Sequence, residues 1–295
     1  MSVVAGAAVT VLPEPAWQMR RRAHEQRVAA WTAPHQQRAA RGEKNPVHDF
    51  LFGYYRHRPS WLRRWHPGPD VVLLGESARE FLRWAEYAET PAGVALNLAT
   101  LPPKRRESIA WIHQLLQLTR DRAPVFGCFG LHEWAMVYRQ TPEQVRHNQW
   151  PLRFAPDELA RIVEAQPVRC SHFDAFRFFT PEARPLNRLQ PTRETAPDHE
   201  QRGCLHANMD LYKWAFKLAP FTPSELTADC FALARDIREV DMRASPYDLA
   251  KLGYAPIAIE TPEGRADYER HQRAFAERSQ PLRARLLALC VRLLN

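Results

Sequence analysis

The chain reads as one mostly α-helical domain over residues 17–295, with at most a few short strands and long, Pro-rich ordered loops. Three observations predict this. Several segments repeat apolar residues at helical spacing, the strand-like runs are few and short, and 25 prolines against 11 glycines fall between the apolar segments. A chain of 295 residues that is 45% hydrophobic and 25% charged has the composition of a globular protein able to bury a substantial core.

Taken in order, residues 1–16 form a flexible N-terminal segment. The run "SVVAGAAVTVL" is apolar, but no basic residue precedes it, and Pro13 and Pro15 stand where a signal peptide would place small residues. "VVLLG" at 71–75 and "PIAIE" at 256–260 are the candidate strands. Residues 103–120 place Ile109, Ile112, Leu115 and Leu116 on one helical face. Residues 223–240 do the same with Leu226, Cys230, Ala234 and Ile237, with Ser224 as the candidate cap. Residues 128–139 and 206–218 predict helices apolar over most of their surface, which belong in the interior. The Pro-rich stretch 181–203 lies between two segments that look like parts of one site, so it reads as an ordered loop of the active region. The last thirty residues form a basic amphipathic helix packed on the body.

Lys plus Arg number 41 against 33 Asp plus Glu, a net charge of +8 that favours an anionic partner, of which nucleic acid is the commonest. Five cysteines with no Cys-x-x-Cys suggest no disulfide framework. No run approaches the length of a membrane span, and the protein is expected in the cytoplasm without an obligate protein partner.

Between Phe50 and His66 the chain carries two Phe, two Tyr, two Trp and four Arg with no carboxylate. Such a stretch is either a helix with its rings inside, or a surface that stacks on bases and grips phosphates. On the second reading Tyr54, Tyr55, Arg56, Arg58, Trp61, Arg63 and Arg64, with Lys104, Arg105 and Arg106 of "PPKRRES", contact DNA.

Three groups of ionisable residues sit in apolar surroundings: His132-Glu133 in "GLHEWAM", Cys170, His172 and Asp174 in "CSHFDAFRFF", and Cys204, His206 and Asp210 in "CLHANMDLYKW". Burying such groups is costly unless they are paired or used. Asp174 and Asp210 each stand beside aromatic residues, the pairing expected where a flipped base meets a carboxylate that stabilises an oxocarbenium-like state. His172 and His206 would orient that carboxylate or a water, with Glu133 in reserve. The alternative is a metal-dependent enzyme, with iron as one choice, using His132, Glu133, His172, His206 and Asp210; Asp229 is a further candidate ligand. The two Cys-x-His pairs could instead supply a Cys2His2 zinc set or a cysteine nucleophile. With no catalysis at all, the chain would be a nucleic-acid-binding protein.

The blocks "RGEKNPVHDFLFGYYRHRPSWLRRWHPG", "SHFDAFRFFTPEARPLN", "PTRETAPDHEQRGCLHANMDLYKWAFKL" and "ARDIREVDMRASPYDL" resemble a bacterial family labelled 3-methyladenine DNA glycosylase, from about Trp17 to the C-terminus. The resemblance implies a monofunctional DNA glycosylase. It would hydrolyse the N-glycosidic bond of a modified base flipped from duplex DNA, and it would need no cofactor. No Gly-x-Gly hairpin occurs, so any such site is built differently from that of helix-hairpin-helix glycosylases. Few lysines stand beside these motifs, so no Schiff-base step is expected.

Overall fold

The computed structural model describes residues 9–145 and 149–295. The fold is mostly α, with one small sheet, as the sequence predicts. Strand β1 (Thr10–Leu12) leads into helix α1 (Glu14–Ala40), and β2 (Val71–Leu73) pairs with β1 in parallel, Thr10 opposite Val71. The expected flexible segment 1–16 is therefore corrected from Thr10 on. Its apolar residues complete a sheet edge, with the Leu74 amide donating to the Leu12 carbonyl at 3.0 Å. Residues 1–8 lie outside the described part.

A hairpin of β3 (Tyr87–Thr90) and β4 (Gly93–Leu96) completes the strand order β1-β2-β4-β3. Gly93 has φ of 133°, and a side chain there would meet the Leu73 carbonyl at 2.5 Å, so the turn demands glycine. The sheet carries a small core of its own. Trp17 stacks on Trp65 with centroids 6.3 Å apart, meets Phe81 edge-on, and donates its indole N–H to the Leu74 carbonyl at 2.9 Å.

Two short helices follow α1, namely α2 (Phe50–Tyr54) and α3 (Pro59–Leu62), and after the sheet comes α4 (Pro103–Asp121). Helices α5 (Leu131–Ala135), α6 (Pro156–Glu164), α7 (Phe173–Phe176) and α8 (Ala196–His199) lead to the central α9 (Leu205–Lys217). Then α10 (Ser224–Arg243) and the long α11 (Pro262–Leu294) pack against α9, and α4 packs on α11. The apolar stripes expected of α4 and α10 are all buried. Each fully buried Leu or Ile contributes roughly 1.5–3 kcal/mol. Residues 181–203 form an ordered segment that includes α8.

Several prolines start helices rather than filling loops. Pro59, Pro103, Pro156 and Pro262 each take the first helical position, where the missing N–H leaves no bond unmade. Ser224 is not a cap: it begins α10, and its hydroxyl accepts from the His66 amide at 2.8 Å and donates to the Arg64 carbonyl at 3.1 Å. "PIAIE" is not a strand. Ile257 and Ile259 are buried in an irregular turn, with the Ile257 amide donating to the Arg243 carbonyl at the end of α10. No helix among the described residues is long and apolar enough to cross a membrane.

His66 ties this region together and gives it a pH dependence. Its ring is buried against Trp84 and Tyr87, with Nδ1 3.0 Å from the Tyr87 hydroxyl. Burial, and then the nearby Arg64, pull its pKa from 6.5 down to about 4. The unfolded chain takes up this proton near 6.5 and the folded chain only near 4, so His66 contributes stability in full above 6.5 and loses it as pH falls toward 4. Denaturation midpoints measured from pH 7 to 4.5 should fall, and His66→Gln should flatten the fall. An unchanged slope in the variant would exclude His66 as its source.

Candidate functional site

The three groups singled out in the sequence converge at α9. The rings of His132 and His206 lie 4.5 Å apart between centroids, and those of His172 and His206 lie 5.3 Å apart. Around them are four buried carboxylates, Glu133, Glu200, Asp210 and Asp241. The arrangement divides into two halves.

In the first half α5 faces α10. Phe129 and Gly130 both take positive φ, 45° and 71°, and this turn delivers His132 and Glu133 inward at the start of α5. Arg238 donates through one nitrogen, Nη1, to Glu133 at 2.6 Å and to Asp241 Oδ2 at 3.0 Å, and stacks on Phe50 at 3.6 Å. His132 Nε2 approaches Asp241 Oδ1 to 2.9 Å, yet neither atom makes a hydrogen bond of good direction. Burial works against charge on both groups, but their mutual attraction prevails, raising the His132 pKa and lowering that of Asp241. His206 is held neutral, its pKa pushed well below the usual value by burial and then by His132. Among the described residues, His132, His206 and Asp241 bring ligand-type atoms within 4.8 Å of one another.

In the second half, Lys213 joins two carboxylates. Its Nζ lies 2.7 Å from Asp174 Oδ2 and 2.9 Å from Asp210 Oδ2. Asp210 also accepts from the Tyr55 hydroxyl at 2.7 Å, and His172 Nε2 lies 3.3 Å from it and 3.5 Å from Glu200. Burial alone would raise the Asp210 pKa; Lys213 and His172 instead hold it well below the carboxylate range. Lys213 stays an ammonium because Asp210 and Asp174 outweigh its burial.

Two cavities meet this assembly. One, of about 440 Å³, is walled by Phe50, Tyr54, Phe178 and Tyr247 together with Glu133, Asp174 and His206. The other, of about 570 Å³, is largely apolar and is lined by Cys128, Cys170, Cys204, His132 and His206, with His199 and Gln201 of the 181–203 segment.

Several expectations change on this geometry. Asp210 is fully buried and lines neither cavity, whereas Asp174 faces the first. Cys170 and Cys204 are neutral thiols, the former pushed up to about 12 by burial, which makes them weak nucleophiles and unready ligands. Asp229 is remote, paired with Arg27 and Arg285. Tyr55 is bonded to Asp210 and Tyr54 walls the first cavity, so both stand inside the site and not on the exposed arginine surface. Arg105 donates to the Ala219 carbonyl and Arg106 to the carbonyls of Leu98, Leu293 and Leu294, so these two brace the fold. Arg56, Arg58, Trp61, Arg63, Arg64 and Lys104 are exposed. Lys213 stands in the site, held as an ammonium by Asp210 and Asp174.

Sequence reasoning missed Glu200, Lys213, Arg238 and Asp241. A signal existed for Asp241: the stripe Leu226–Cys230–Ala234–Ile237 continues four residues on to it. No family model, curated protein or solved structure matches the chain.

Arg238 is the counter-ion that its half of the site depends on. Arg238→Met should destabilise the fold by roughly 3–5 kcal/mol, because it leaves Glu133 and Asp241 buried without their guanidinium. Chemical denaturation measures this, and a loss below about 1 kcal/mol would mean that another cation balances the pair.

Proposed function

We propose that the protein hydrolyses the N-glycosidic bond of a modified base in DNA, the base leaving the stack to enter the cavity beside α2. The observation that carries this reading is the cavity wall itself, where the rings of Phe50, Tyr54, Phe178 and Tyr247 stand beside the carboxylates of Asp174 and Glu133. Flat apolar faces hold an extruded base, and a carboxylate near the sugar stabilises positive charge as the bond breaks.

A ladder of rings supports the route from surface to cavity. Exposed Trp61 stacks on Phe216 (6.1 Å), Phe216 on His57 (3.6 Å) and His57 on Tyr55 (5.7 Å), with Tyr54 and Phe50 next. At the surface end Arg58 and Arg64 flank Trp61, and Lys217 lies in the same depression. Exposed rings with cations around them suit stacked bases and phosphates.

Asp174 is the catalytic carboxylate in this reading. Lys213 and Arg177 fix it in place, and Asp210 is a positioning residue that holds Lys213. A lysine kept as an ammonium cannot form a Schiff base, which favours simple hydrolysis without strand cleavage.

Incubation with alkylated or otherwise modified duplex should leave alkali-labile abasic sites. Asp174→Asn should slow their formation by roughly 10²–10⁴-fold while leaving DNA binding intact. Binding without reaction on a broad panel of modified bases would reduce the protein to a nucleic-acid-binding module.

The surface makes a separate prediction. Arg64→Ala combined with Lys217→Ala should weaken binding to all sequences and lower the log–log salt slope by roughly 0.9 for each phosphate no longer neutralised. An unchanged slope in the folded double variant would place DNA elsewhere.

A further inference from the structure

We infer that His132, His206 and Asp241 form a binding site for one divalent first-row transition metal ion, open to the cavities that His206 lines. This goes beyond the glycosidic-bond reading and does not depend on it, since the ion needs only these three side chains.

The three ligand atoms lie within 4.8 Å of one another, and His132 Nε2 and Asp241 Oδ1 are 2.9 Å apart. Two atoms each about 2.1 Å from a shared ion stand about this far apart when the angle at the metal is near 90°. All three residues are buried. His132 Nε2 and Asp241 Oδ1 are buried and make no well-directed hydrogen bond. Buried polar atoms are nearly always satisfied, and an ion shared by these two and by His206 would satisfy both.

The surroundings orient the set. Arg238 binds Asp241 through Oδ2 and leaves Oδ1 turned toward the histidines, which is the role of an outer partner that aims a ligand. The other half of the cluster is not a rival site, because the Lys213 ammonium already lies 2.9 Å from Asp210 where a metal ion would sit.

The donor set selects the metal. Two imidazoles and one carboxylate suit iron(II), manganese, cobalt or zinc rather than magnesium or calcium, which prefer oxygen alone. Three protein ligands also leave coordination positions open, as in catalytic rather than structural sites, and the cavities on which His132 and His206 border provide access to them.

The test uses the full chain, stripped with a chelator, dialysed, and titrated with Co²⁺ alone and then with Mn²⁺ and Zn²⁺. Wild type should take up about one equivalent, develop visible cobalt absorption and melt at a higher temperature with metal than without. His206→Gln, which keeps a side chain of similar size, should fold yet show neither the absorption nor the thermal shift. If that variant does not fold, His132→Gln carries the same expectation. No metal uptake by wild type, or uptake unchanged in the folded variant, overturns the proposal. So does a loss on His172→Gln that is not matched by a loss on His206→Gln.

Discussion

Four carboxylates enclosed in a helical core set the terms for the rest of this molecule. An unpaired buried charge is too costly to keep, so Glu133, Glu200, Asp210 and Asp241 require partners, some local and some brought from afar. α10 supplies Arg238, α9 supplies Lys213, and the histidines come from α5, α9 and the turn before α7. The contacts of α5 with α10 and of α7 with α9 are thereby fixed by charge, through Arg238–Glu133 and Lys213–Asp174. Apolar contacts alone tolerate sliding by a turn, whereas these pairs hold at one register.

The same helix links interior to surface. The first half of α9 carries His206 and Asp210 into the core. Its last turns carry Lys213 and Lys217 over Trp214, whose ring meets the exposed Trp111 at 5.5 Å. Asp210 and Tyr55 form the corresponding link on the other side, since the tyrosine hydroxyl binds the carboxylate while its ring belongs to the ladder that starts at Trp61. Surface rings and buried carboxylates are thus joined by a continuous run of aromatic contacts.

Residues 50–66, rich in both rings and arginines, divide between two roles. Leu51, Phe52, Leu62, Trp65 and His66 are core, and Tyr55 is a site residue. Trp61 remains 46% exposed, with arginines on either side of it. The two short helices α2 and α3 turn some residues inward and others outward, so one stretch serves packing and surface together.

What the sequence determined by itself was local. The stripes of α4 and α10 were legible because each lies within one helix, where a period of 3.6 residues reports burial directly. α1 was not legible, because its buried face includes His24 and Thr32 beside Trp17 and Val28 and so shows no apolar period. The sequence also marked His132, Glu133, His172, His206 and Asp210 as polar residues in apolar surroundings, and all five meet around α9. Apart from Lys213, three residues from Asp210 on the same helix, tertiary structure decided their partners. Arg238 lies 105 positions from Glu133, and Asp174 lies 39 from Lys213. Charge pairing acts through space, and no periodicity along the chain encodes which distant residue will arrive. That is also why Asp210 became a buried anchor and Asp174 the carboxylate that faces a cavity.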